Sequence, residues 1–379
     1  MQPALNVPAR PSFRSKATLL AVLSAATGGF AVLGQDSSQL SLFTLPPGAT
    51  PGATQLGSFS ININPGSGLS GNSAALAAFN RAAGHWMSYF SDPVSININA
   101  DLTGGFTNPS IIGQASSQIL QASYSTIRNA IVADAAGDSF RSIDASLPTS
   151  GQFSALLPSG YTLSGNLQLT KANAKALGFT GLDGLFGAND ATIQFNNSFS
   201  FDYDNSDGVT PGMVDFETVA THEIGHALGF TSTVDNIDGA SAPFSVTPST
   251  LDLFRFTNGS APTSAAEFST FSRDLRPGGD VLLTDTVTGF RLSTGLTQGD
   301  GRQASHWKDD QISGTYIGVM DPTLPASVIE PVTTADLKAL ALIGWNVQVP
   351  EASTWSAIAA VAATVGAQLW RRRRSSHPL

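Results

Sequence analysis

The sequence predicts an α+β protein: a mixed sheet packed with helices in the N-terminal half, then a histidine-bearing helix, then an irregular C-terminal half. Three observations carry this expectation. Stretches that alternate apolar and polar residues are interleaved with stretches of helical periodicity through the first half of the chain. The segment DFETVATHEIGHALGF at 215–230 is a helix with its own start and stop signals. Beyond it the chain turns glycine-rich and irregular until TTADLKALALIGW at 333–345 restores a helical period.

Taken in order, SFSININ (58–64) and VSININADL (94–102) alternate as half-buried strands, and SAALAAFNRAAGHWMSYF (73–90) between them has helical spacing. SQILQASYSTIRNAIVADA (117–135) reads as a second helix, and NLQLT and ATIQFNNSFSFDYD as further strands. The last of these could supply an edge strand of the sheet.

A chain of 379 residues can bury a substantial core, and 41% hydrophobic against 12% charged residues marks it as globular. The net charge of −9 argues against a nucleic-acid partner, which needs a basic face. Aspartate outnumbers glutamate 23 to 5, a bias toward turns and loops. Cysteine is absent, so disulfides, thiolate metal ligands and cysteine nucleophiles are excluded, and any zinc must be held by His, Asp, Glu or water.

Both ends read as addresses. Arg10, Arg14 and Lys16 precede the apolar run ATLLAVLSAATGGFAVLG, the layout of a secretory signal peptide over 1–34. At the other end, residues 353–370 are uncharged and largely apolar, and Arg371 to Arg374 follow. That is a short membrane span with its basic end held in the cytoplasm. With Pro350 and Glu351 ahead of it, the tail 350–379 resembles the PEP-CTERM sorting tail of Gram-negative bacteria, although Ala352 stands in place of the second proline. The resemblance implies transient membrane anchoring, an exosortase-type sorting enzyme as partner, and release to the cell surface or its matrix.

The chemistry concentrates in the central helix. Asp215 is its expected N-cap and Gly229 its terminator. His222 and His226 are four residues apart, so they project from one face and can reach a single zinc. Glu223 between them is placed to take a proton from metal-bound water and pass it to a leaving amine. A catalytic zinc needs a third protein ligand. The commonest form of the motif has a histidine six residues on, where this chain has Ser232. Asp235 and Asp238 lie close enough for Gly229 to turn them back under the metal. His306 is the distant candidate. His85, beside Trp86, and Glu217, facing elsewhere on the helix, are set aside.

HEIGHALGF, followed far downstream by SHW and then MDPT, resembles the leishmanolysin-type branch of the metzincin metalloproteases. The resemblance implies a zincin-like fold, zinc ligands His222, His226 and His306, general base Glu223, Met320 in a turn forming the floor beneath the metal, and a closing C-terminal helix. It divides the body into 35–229, which carries the metal helix, and 230–349, with the third ligand and the methionine turn. The activity implied is a zinc metalloendopeptidase acting on protein or peptide. The rival is a surface or matrix protein that keeps the zinc and has little turnover.

Two weaker signals remain. Asp202, Asp204 and Asp207 ahead of Gly208 resemble a calcium loop with its glycine one position late, making Ca2+ a second candidate ion. Tyr316, between His306 and Met320, is a candidate contact for the oxyanion, with packing as the simpler role.

Overall fold

A computed structural model describes residues 31–35, 41–52 and 58–348. The sorting-tail expectation at 350–379 and most of the signal expectation at 1–34 lie outside them. Among the described residues no helix is long and apolar enough to cross a membrane.

The main sheet has eight strands: β1 (Ala31–Gln35), β2 (Ser41–Thr44), β3 (Ser60–Pro65), β4 (Ser95–Thr103), β5 (Ile111–Ser123), β6 (Asn166–Thr170), β7 (Ala191–Asn196) and β8 (Thr323–Leu324). Its order is β8-β1-β5-β7-β4-β3, with β2 and β6 pairing on the far half of β5. β3, β4 and β7 are mutually parallel, and β5 runs against β7. At 13 residues β5 is long enough to serve two ladders, bonding β1 and β7 with its first half and β2 and β6 with its second.

The alternation of SININ explains the strands that carry it. Ile61 pairs with Ile96 and both point into the core, while Asn62 and Asn97 pair on the opposite, wetter face and share a 3.0 Å side-chain hydrogen bond. Against the apolar face lies the helix Ser73–Tyr89, capped by Asn72, whose side chain accepts from the Ala75 amide. Its buried stripe of Ala75, Ala78, Phe79, Ala82, Ala83 and Trp86 is mostly alanine, which lets a second helix, Phe216–Leu228, pack close. The Trp86 indole donates to the Thr221 carbonyl at 2.9 Å and ties the two together.

Two expectations need correction. Residues 117–123 belong to β5, and only Tyr124–Asp134 form the helix. Pairing with β2 and β6 overrides the local periodicity there, and Ser123, accepting from the Thr126 amide, starts the helix. Nor is Ala191–Asn196 an edge: every residue of β7 pairs with β4, and most also pair with β5. Its Ala191, Ile193 and Phe195 are fully buried, as an interior strand requires.

The C-terminal half is more regular than expected. It holds a three-stranded antiparallel sheet of Arg255–Thr257, Val281–Thr284 and Gly289–Leu292. The closing helix Thr334–Leu342 starts on a Thr333–Asp336 capping box. Just past it, the Trp345 indole donates to the Leu228 carbonyl at 2.9 Å, capping the end of the histidine helix.

Phe195 joins three layers, meeting Phe79 of the long helix and Phe216 of the histidine helix at centroid distances of 5.4 and 4.6 Å. Phe195→Ala is expected to cost about 3–5 kcal/mol in a urea unfolding titration. A loss under about 1 kcal/mol would mean that these layers are not packed as described.

Candidate metal centre

The histidine helix begins where the sequence says it should. The Asp215 carboxylate accepts from the Thr218 amide at 3.0 Å and from its hydroxyl at 2.6 Å. It ends at Gly229, whose φ of +124° few other residues adopt, and the Phe230 amide then bonds back to the Gly225 carbonyl. All thirteen residues of the helix are buried, so its two histidines lie in the core.

His306 arrives from a separate loop, and the side chains around Ser232 hold that loop in place. The Ser232 amide donates to the Ser305 hydroxyl at 2.8 Å. Asp235 accepts from the Ala304 amide at 2.5 Å, the Ser305 amide at 3.1 Å and the Ser305 hydroxyl. Burial raises the Asp235 carboxyl to about 6, against the lowering effect of those hydrogen bonds. The two aspartates weighed as third ligands therefore have other work. Asp235 positions the His306 loop, and Asp238 accepts from the Thr297 and Gln298 amides at 2.6 Å each.

The three Nε2 atoms converge: His222 to His226 at 3.1 Å, and each of these to His306 at 3.2 Å. Three imidazoles bound tetrahedrally at about 2.0–2.1 Å put their nitrogens about 3.3 Å apart, so the spacing fits a zinc ion. Each Nδ1 faces a backbone carbonyl: Val319 at 2.7 Å, Phe230 at 2.8 Å and Gln303 at 3.2 Å respectively. A carbonyl only accepts, so each Nδ1 carries the hydrogen and each Nε2 presents a lone pair. Three lone pairs aimed at one another have no donor between them, and a cation satisfies all three. Burial also favours the neutral, ligating form. It lowers His226 to about 4 and holds His222 and His306 well below 6.5, with neighbouring imidazoles adding to the effect in both.

The methionine turn packs against the histidine helix. A Cβ added to Gly225 would stand 2.3 Å from the Met320 sulfur, so the thioether packs directly on the helix backbone between the two histidines. Asp336 organises this turn. Its carboxylate accepts from the Val319 amide at 2.9 Å, the Met320 amide at 3.3 Å and the Trp307 indole at 2.7 Å. One side chain thus fixes the residue after His306, the residue whose carbonyl orients His222, and Met320.

Glu223 is fully buried beside the triad. β5 passes against it at Gly113, where an added Cβ would come within 2.9 Å of both Glu223 Oε1 and Val219 Cγ1. Any side chain there would have to displace Glu223 or Val219.

The remaining candidates lie elsewhere. His85 Nε2 pairs with Glu217 at 2.6 Å, and Glu217 also holds Arg81. Tyr316 donates to the Pro331 carbonyl at 2.7 Å. Asp202 and Asp204 are engaged as acceptors from amides of their own loop, Asp202 from Asp204 and Thr210, Asp204 from Ser206. A different carboxylate group, Asp309, Asp310 and Asp321, does converge, but Asp309 is already paired with Arg302 at 2.5 Å. Sequence reasoning missed Gly113, Asp336 and the true role of Asp235. Only Asp336 left a trace, as the fourth residue of TTAD.

The buried triad is consistent with a zincin-like zinc site. No family model matches the chain, and neither a curated protein nor a solved structure matches it.

His306→Ala is expected to abolish retention of one zinc per chain after gel filtration. Asp235→Asn, which loosens the loop but keeps every ligand, should weaken zinc binding about 10–100-fold while leaving full occupancy at saturating metal. The reverse ranking in a competition titration would make the aspartate the ligand.

Proposed function

We propose that the chain is an exported zinc-dependent endopeptidase. The observation that carries this is the convergence of three histidine Nε2 atoms next to a buried glutamate on the same helix. A zinc ion held there would polarise a scissile carbonyl and lower the pKa of its water to about 7. The chain's residues do the rest. The carbonyls of Val319, Phe230 and Gln303 keep the imidazoles in the ligating tautomer. Glu223, one residue from His222, takes the proton of the attacking water and delivers it to the departing amine. Dry surroundings strengthen each of these electrostatic effects.

Export rests on the basic and apolar layout of residues 1–34, and surface delivery on the tail 350–379 with its exosortase-type partner. A second reading is a surface-associated zinc-binding structural protein with little turnover. It draws on one observation, that the triad and Glu223 are all inaccessible to solvent.

The zinc-loaded protein is expected to hydrolyse casein, and Glu223→Ala to lower the rate by at least about 100-fold while zinc stays bound. Tight zinc with no hydrolysis of casein or a peptide library would favour the structural reading. Equal rates for Glu223→Ala and wild type would rule out the glutamate as base.

A further inference from the structure

A second group of acids gathers beside the methionine turn. Asp309 and Asp310 follow closely on His306, and Asp321 comes directly after Met320. One carboxylate oxygen from each of the three lies within 4.8 Å of the others. Asp309 and Asp321 are buried, while Asp310 is half-buried and leaves the group a route to water. Asp309 holds Arg302 through one oxygen, and the Asp310 amide donates to the Asp321 carboxylate at 2.9 Å. Each carboxylate oxygen carries two lone pairs, so both of those oxygens can accept once more.

We propose that Asp309, Asp310, Asp321 and Glu330 bind one calcium ion, separate from the zinc triad, that ties the methionine turn to the chain on either side of it. The inference goes beyond the endopeptidase reading and does not depend on it.

Glu330 is the observation that points to a ligand. It is 5% exposed, and among the described residues its Oε2 has no hydrogen-bond partner. The charges that act on it most strongly are those of Asp321, Asp310 and Asp309, in that order, so its carboxyl faces this group. A carboxylate buried without a partner against three others is costly, and a cation shared by all four relieves it. Burial raises the Asp321 carboxyl to about 7 and that of Glu330 to about 9, and the neighbouring acids add to both. The donor set is all oxygen, which suits a hard cation and leaves zinc to the imidazoles. Ca2+ takes such ligands at about 2.3–2.6 Å, so two oxygens on one ion can stand up to about 5 Å apart. The 4.8 Å spread falls within that limit. Position gives the ion a structural task. The Glu330 amide donates to the Thr218 hydroxyl at 3.2 Å, and that hydroxyl donates to Asp215, the N-cap of the histidine helix. One ion thereby joins the loop after His306, the turn of Met320 and the start of that helix.

The test uses the full chain already holding one zinc, with Ca2+ as the probe in equilibrium dialysis near neutral pH. Wild type is expected to bind one calcium ion per chain with Kd below about 1 mM. Glu330→Gln and Asp310→Asn should each weaken that binding at least about tenfold, since affinity follows the number of charged ligands. The glutamine keeps the shape of the buried side chain and Asp310 is half-buried, so one variant remains if the other fails to fold. Asp204→Asn, in the loop ahead of the histidine helix, should leave the affinity unchanged. Calcium at about 100-fold over the wild-type Kd should raise the midpoint of thermal unfolding by about 5 °C, and about half as much in Glu330→Gln. No calcium held by wild type at about 10 mM free ion, or equal affinity in wild type and both variants, overturns the site. Loss of binding with Asp204→Asn alone also overturns it, because the ion then belongs to that loop.

Discussion

Three imidazole lone pairs pointed at one spot inside a dry core form an arrangement that needs positive charge. The three Nδ1–H groups are committed to carbonyls, so the Nε2 atoms cannot relieve the crowding by exchanging hydrogens. Protonation is opposed by burial. Much of the surrounding structure serves this convergence. Gly229 turns the Phe230 carbonyl back onto His226, Asp336 holds Val319 where His222 can reach it, and Asp235 with Ser232 fixes the loop that delivers His306.

The sheet contributes through close approach. Gly113 brings β5 against Glu223, and Gly225 lets Met320 rest on the helix backbone, so the positions of the glutamate and of Met320 each depend on a missing side chain. The same approach places the backbone of β5 beside the glutamate.

The helix and its chemistry were legible because they are local. Spacing alone puts His222, Glu223 and His226 together, and Asp215 and Gly229 bound the helix through their own backbone preferences. His306 and Met320 were reached only through the order of SHW and MDPT along the chain, since no local rule links a loop histidine to a helix far away in sequence. What stayed hidden is tertiary. Residues 117–123 have a helical pattern and become strand because β2 and β6 pair with them. β7 alternates like an edge strand and lies inside the sheet. Asp235 looked like a ligand from its position, yet its carboxylate serves the loop behind His306, a role set by partners nearly seventy residues on (|i−j| = 69 and 70).

The central claim is that these three histidines coordinate one zinc ion. X-ray absorption at the zinc edge of the loaded wild-type protein tests it most directly. Three imidazole nitrogens at about 2.0–2.1 Å with one lighter oxygen ligand is the shell this account requires. A shell with two imidazoles and two or more carboxylate oxygens would contradict it, as would zinc lost on simple buffer exchange.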